Sequence, residues 1–262
     1  MFVTPRFVFL HQPKTGGTFV SAILTRVHEA RGDRVETLYL EPGQDVPPPR
    51  DGQAFKLMLG SRYQHGRRVE IPAALRRHEV VATVRNPYDR YASQFEFAWW
   101  RREPNRFGPV EEIRKTYPRY PDLTFQEFVR LTNEVSVPAC PALTADPLGF
   151  HTYQFIDSFA RDPESAWRGL CDGTDPGRWV ADTSGLTFLD QSHLNDHLHA
   201  FLRRMEYAPG EVAFVQHADR IWPPEGGRTA GQDWRGYYTP EVHAFVRRRE
   251  RLLFERFPQF DV

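Results

Sequence analysis

Phe7-Val8-Phe9-Leu10-His11 is a short, unbroken apolar run closed by a Pro and Gly cluster. A run of that length between turn residues predicts a strand buried on both faces. Val35 to Leu40, Phe55 to Gly60, Val80 to Val84 and Thr187 to Leu189 have the same character. Between these runs the period becomes helical. Val20, Ile23, Leu24 and Val27 follow Thr18, and Tyr88, Tyr91, Ala92, Phe95, Ala98 and Trp99 form one stripe from Tyr88 to Arg102. Further helices are predicted near Ala73 to Arg77, over Phe125 to Asn133 and Asn195 to Met205, and from Pro240 to Phe257, where Pro240 suits a first turn. Gln44 to Gly52 holds three consecutive prolines and reads as a loop. Strands alternating with helices, without an internal repeat or long linker, predict one α/β domain over residues 1–262. Its central sheet is mostly parallel, with helices on both faces.

Composition narrows the class. The 262 residues carry 34 Lys+Arg against 34 Asp+Glu, so bulk charge does not write nonspecific nucleic-acid binding into the chain. All the basic residues except Lys14, Lys56 and Lys115 are arginine, which with 22 Pro points to a GC-rich genome more than to a nucleic-acid partner. No window reaches the roughly 18 apolar residues of a membrane span. Nothing resembles a cleavable leader, so a soluble cytoplasmic protein is the expectation. Cys140 and Cys171 lie in no CxxC or zinc-like spacing. Two thiols suit a reducing compartment, and whether they pair stays open.

The candidate chemistry lies at two strand exits. Pro13-Lys14-Thr15-Gly16-Gly17-Thr18 follows the first strand and opens a helix. Paired glycines let the backbone turn its amides toward an anion, the helix start adds its dipole, Lys14 adds a mobile charge, and two hydroxyls add donors. The order is not that of a Walker loop, because the Lys precedes the glycines. The plainer reading is a Gly-rich turn with a solvated Lys. Arg85-Asn86-Pro87-Tyr88-Asp89-Arg90-Tyr91-Ala92-Ser93 follows the fourth strand. Arg85 stands at a strand's carboxyl end, where open α/β sheets bind ligands, and Ser93 lies on the emerging helix. The plainer reading here is an Arg–Asp pair at the corner, a role open to Arg90 with Asp89 or Glu96.

Together these two motifs resemble the 5′-phosphosulfate and 3′-phosphate motifs of sulfotransferases that use 3′-phosphoadenosine-5′-phosphosulfate. A looser echo is Gly226 to Arg235, followed by Tyr237-Tyr238-Thr239-Pro240-Glu241. The resemblance implies a P-loop-NTPase-like parallel sheet and in-line transfer of a sulfuryl group to an acceptor hydroxyl, with no metal required. It implies that Lys14, Thr15, Gly16, Gly17 and Thr18 hold the 5′ end, Arg85 and Ser93 the 3′-phosphate, and Arg228 a further contact. Lys14 also neutralises the leaving phosphate, leaving 3′-phosphoadenosine 5′-phosphate as product. Relatives often place a His base directly after a Gly at the third strand's end. Here Gly60 is followed by Ser61, and His65 is the nearest His, with Glu41 as rival. The PKTGGT form leans toward relatives that sulfate carbohydrates or proteins; a sugar, a tyrosyl peptide and a small-molecule hydroxyl all stay open as acceptor. A P-loop kinase using ATP and a non-catalytic nucleotide-binding module are the competing classes.

Three other groupings take plainer readings. His193, His197 and His199 with Asp196 lack the HExxH glutamate and read as a solvated helix with histidines. Trp99 and Trp100 with Phe95 and Phe97 read as core before acceptor pocket. Arg247-Arg248-Arg249 and Arg251 read as a solvated helical face.

Overall fold

The computed structural model describes residues 1–41, 43–60, 64–221 and 232–262. Six strands form one sheet: β1 (Phe2–Val3), β2 (Phe7–Leu10), β3 (Arg34–Leu40), β4 (Gln53–Leu59), β5 (Glu79–Val84) and β6 (Leu186–Asp190). Their order is β3-β4-β1-β2-β5-β6. Each of the five runs singled out by sequence contributes a strand. β3 with β4, β2 with β5, and β5 with β6 are parallel, and β1 is antiparallel to both its neighbours. The sheet is thus mostly parallel, as the alternation of strands and helices predicts, and β1 alone among the described strands makes it mixed. The reason is local. Thr4 Oγ1 accepts from the amides of Arg6 and Phe7, and the Thr4 amide donates to the Phe7 carbonyl, turning Phe2-Val3 back between β2 and β4. Two residues are too few to show a period.

The described helices are α1 (Gly17–Ala30), α2 (Pro87–Phe97), α3 (Trp99–Arg102), α4 (Val110–Thr116), α5 (Phe125–Val135) and α6 (Phe150–Phe159). They continue with α7 (Pro163–Asp172), α8 (Arg178–Asp182), α9 (Leu194–Arg204), α10 (Pro209–Val212), α11 (Pro240–Arg249) and α12 (Arg251–Arg256). Among these helices none is long and apolar enough to cross a membrane. The chain divides into two compact units: residues 1–85, 158–161 and 183–221 in the first, and the remainder in the second.

In the first unit, Phe7 and Phe9 of β2 point to one face, the period-2 consequence of the pleat, and pack with Phe19, Val20, Ile23 and Leu24 of α1 and with Leu198 and Phe201 of α9. Phe159, at the end of α6, meets Phe188 of β6 edge-on at 5.4 Å. The parallel strands all leave the sheet along one edge. That edge carries His11, Gly60, Arg85 and Gln191.

In the second unit, two predicted helices are each cut in two. The stripe from Tyr88 to Arg102 breaks at Ala98, which is left-handed at φ 49°. The C-terminal helix breaks at Glu250, whose carboxylate is wholly buried against the first turn of α6. It accepts from the Tyr91 hydroxyl at 2.6 Å, the His151 amide at 3.0 Å, and the Thr152 amide and hydroxyl, both at 2.7 Å. Trp100 is fully buried and stacks on Phe128 at 4.3 Å, so it belongs to the core. Arg247 pairs with Asp261, and Arg248 and Arg251 share Asp146, so three of the four arginines in that run are held in ion pairs. Cys140 and Cys171, whose pairing the sequence leaves open, form a disulfide that ties the segment after α5 to α7.

Candidate functional site

The site starts with what forces the turn after β2. Gly16 has φ 97°, a conformation costly for any residue with a Cβ, and a Cβ there would also stand 2.7 Å from Leu194. Gly17 is required for a different reason: its Cβ would fall 2.0 Å from Cδ2 of the His11 ring. Lys14 is left-handed as well, at φ 63°. A non-glycine residue in that region costs about 1–2 kcal/mol, so strain is concentrated where the backbone wraps. Helix α1 begins at Gly17. Among the described residues no side chain caps its start, and its first turn contains no acidic residue. The first amides of a helix have no intrahelical partner, and the dipole adds positive potential there.

The two threonines counted as donors part ways. Thr18 is exposed. Thr15 is fully buried, with Oγ1 2.8 Å from the Gln12 carbonyl and 2.6 Å from Thr83 Oγ1 of β5. A hydroxyl has one proton and a carbonyl only accepts, so Thr15 donates to Gln12 and Thr83 donates to Thr15. Thr15 thus rivets the turn to the sheet, and only its amide remains as a ligand group. Replacing it by the isosteric Val should leave a buried carbonyl and a buried hydroxyl unsatisfied and cost about 2 kcal/mol. Urea unfolding of the two proteins checks this, and equal midpoints would refute the rivet.

Arg85 leaves the end of β5 and donates through Nη1 to the Lys14 carbonyl at 3.1 Å. Arg85, the residue of its motif that belongs to the first unit, is thereby joined to the Lys14 turn, and its guanidinium holds the turn in its left-handed form. Ser93 belongs to the second unit, buried on α2. Arg90, offered as partner of Asp89 or Glu96, is buried and donates to Gln154 Oε1 at 2.5 Å, while Glu96 accepts from the Tyr237 hydroxyl at 2.7 Å. Arg228 and Ser61 lie outside the described residues.

His65 follows β4, and its Nδ1 lies 3.1 Å from the His11 carbonyl. The rings of His65 and His11 meet edge-on, 4.7 Å apart. Burial, reinforced by His65 and opposed by a hydrogen bond from the imidazole to Gln64, holds the His11 imidazole well below its ordinary pKa, so it is neutral near pH 7. Glu41 is exposed and follows β3 at the sheet edge, three strand positions from β2 and so about 14 Å from it laterally. The sequence reading missed His11 and Thr83. Their signals were a polar residue ending a buried strand and a hydroxyl inside an otherwise aliphatic one.

Among the described residues no cluster of His, Cys, Asp and Glu is placed to hold a metal ion. His197 instead accepts the Asp190 amide at Nδ1, 3.0 Å away, a structural use. No protein-family model matches the chain, and no curated protein matches it.

Proposed function

We propose that the protein is a sulfotransferase that takes 3′-phosphoadenosine-5′-phosphosulfate as donor and an alcohol or phenol as acceptor. One observation carries the reading: an uncapped helix start, reached through a turn that only glycines allow, with Lys14 in the turn and Arg85 bonded to its carbonyl. A backbone cradle next to two cations, on the carboxyl edge of parallel strands, suits a phosphate bearing a further anionic group.

In this reading the amides from Thr15 to Thr18 hold the 5′-phosphosulfate oxygens. Lys14 carries the charge that grows on the bridging oxygen as the sulfur–oxygen bond to phosphate breaks. Arg85 serves the 3′-phosphate. His65 takes the acceptor proton in preference to Glu41, because it touches the residue that leads into the turn whereas Glu41 stands at the far edge of the sheet. Positioning and charge stabilisation supply most of the rate in group transfers of this kind.

Calorimetry tests the donor. The expected result is tighter binding of 3′-phosphoadenosine 5′-phosphate than of ATP. Equal or tighter binding of ATP returns the site to the kinase class. Nucleotide binding with no transfer to sugars, tyrosyl peptides or phenols from labelled donor leaves a binding module. Cytoplasmic residence belongs to the same reading, and the Cys140–Cys171 bridge pulls the other way, since such bonds persist in oxidising compartments.

A further inference from the structure

We propose that His11 is the residue that makes His65 a base: its main-chain carbonyl holds the Nδ1 proton of His65, which leaves the lone pair on Nε2, and its ring, between Gly17 and His65, fixes that imidazole relative to the phosphate turn. The inference rests on the sulfuryl-transfer reading and names the positioning residue within it.

The tautomer follows from chemistry. A carbonyl oxygen can only accept, so the 3.1 Å contact with His65 Nδ1 exists only when that nitrogen bears hydrogen. A neutral imidazole has one N–H, so Nε2 is then the basic atom. The ring of His11 has two neighbours. On one side it is so close to Gly17 that a methyl group would overlap it, with Cδ2 at 2.0 Å and Nε2 at 2.5 Å from the added carbon. On the other it meets the His65 ring at 4.7 Å with planes 81° apart. His11 is 4% exposed, so neither contact is a surface accident. One residue therefore touches both the anion turn and the base.

In the transfer step the acceptor O–H bond breaks and its proton passes to Nε2. The oxygen's electron pair forms the new bond to sulfur, and the sulfur–oxygen bond of the donor breaks with its pair leaving on the 5′-phosphate. The imidazolium so formed keeps its Nδ1–H bond to the His11 carbonyl, which becomes charge-assisted and stronger. His11, buried and neutral, adds no second positive charge beside it.

The test is nitrogen-15 NMR of the imidazole rings in the full chain without nucleotide, with His65 identified by the signals lost in His65→Gln. The expected spectrum shows a protonated Nδ1 and a bare Nε2 at His65. A protonated Nε2 with a bare Nδ1 overturns the proposal. Every substitution at this position keeps the main-chain carbonyl; His11→Phe also keeps the ring that wedges His65 against it and should retain the pattern, whereas His11→Ala loses that ring. His11→Ala should average the two tautomers and slow transfer about tenfold, as loss of orientation does, with the affinity for 3′-phosphoadenosine 5′-phosphate changed less than about twofold. An unchanged tautomer and rate in His11→Ala would remove the positioning role. The spectrum needs no nucleotide, so failure of the donor assignment and failure of the tautomer are separate results.

Discussion

Glu250→Ala is expected to lower the thermal unfolding midpoint by about 10 °C, the largest stability effect the structure offers outside the apolar core. The carboxylate is fully buried and accepts four hydrogen bonds: from Tyr91, from the amides of His151 and Thr152, and from the Thr152 hydroxyl. It supplies the missing partners of the first turn of α6, and it is why α11 stops at Glu250. Burial pushes its carboxyl above the ordinary range against the pull of those donors. Alanine would leave three buried donors without acceptors, the His151 and Thr152 amides and the Thr152 hydroxyl, while Tyr91 keeps Asn133 Oδ1 at 3.2 Å. At roughly 1 kcal/mol or more for each unsatisfied group the loss is about 3–5 kcal/mol, a large part of a total of about 5–15 kcal/mol. Scanning calorimetry of wild type and variant measures it. A fall of less than about 3 °C would mean that the donors find other partners. Gly149 belongs to the same arrangement, because a Cβ there would stand 2.3 Å from Glu250 Oε1.

Lys14→Ala should reduce sulfuryl transfer by about 10²–10³-fold, the usual scale for removing one preorganised group at a developing charge. Affinity for the desulfated nucleotide should fall much less, because the backbone amides and Arg85 remain. The left-handed backbone at Lys14 supplies an internal control. Alanine carries the same conformational cost as lysine there, whereas Lys14→Gly relieves it and should raise stability by about 1 kcal/mol. The glycine variant is thus expected to be more stable and equally inactive, a combination that general damage to the fold does not produce. Single-turnover rates with labelled donor, beside urea unfolding of both variants, decide the matter. Transfer within about threefold of wild type in Lys14→Ala would end the role assigned to this lysine.

How far each element could be read from sequence follows from the range of the forces that make it. Strands β2 to β6 are visible because an apolar run between turn residues has few alternatives, and α1, α5 and α9 because a stripe at helical spacing is a local signal. The Lys14 turn is legible too, since two adjacent glycines between a strand and a helix name their own geometry. The breaks at Ala98 and Glu250 are not legible. The apolar stripe runs straight through Ala98, and the charged neighbours of Glu250 disguise it as one more exposed position. Arg248, Arg249, Glu250 and Arg251 read alike on paper, yet one of the four is wholly buried.

The same division holds at the site. Sequence alone determined that a glycine turn opening a helix and an arginine would stand at strand exits, because glycine stereochemistry and strand-to-helix connections are local properties of the chain. It also nominated His65 without being able to place it. Only the tertiary structure decided that the Lys14 carbonyl meets Arg85, that Thr15 turns its hydroxyl inward to Thr83, and that His65 leans on His11. Those contacts span 71, 68 and 54 residues. Hydrogen bonds over such separations depend on which strands become neighbours in the sheet, and no pattern confined to adjacent residues carries that information.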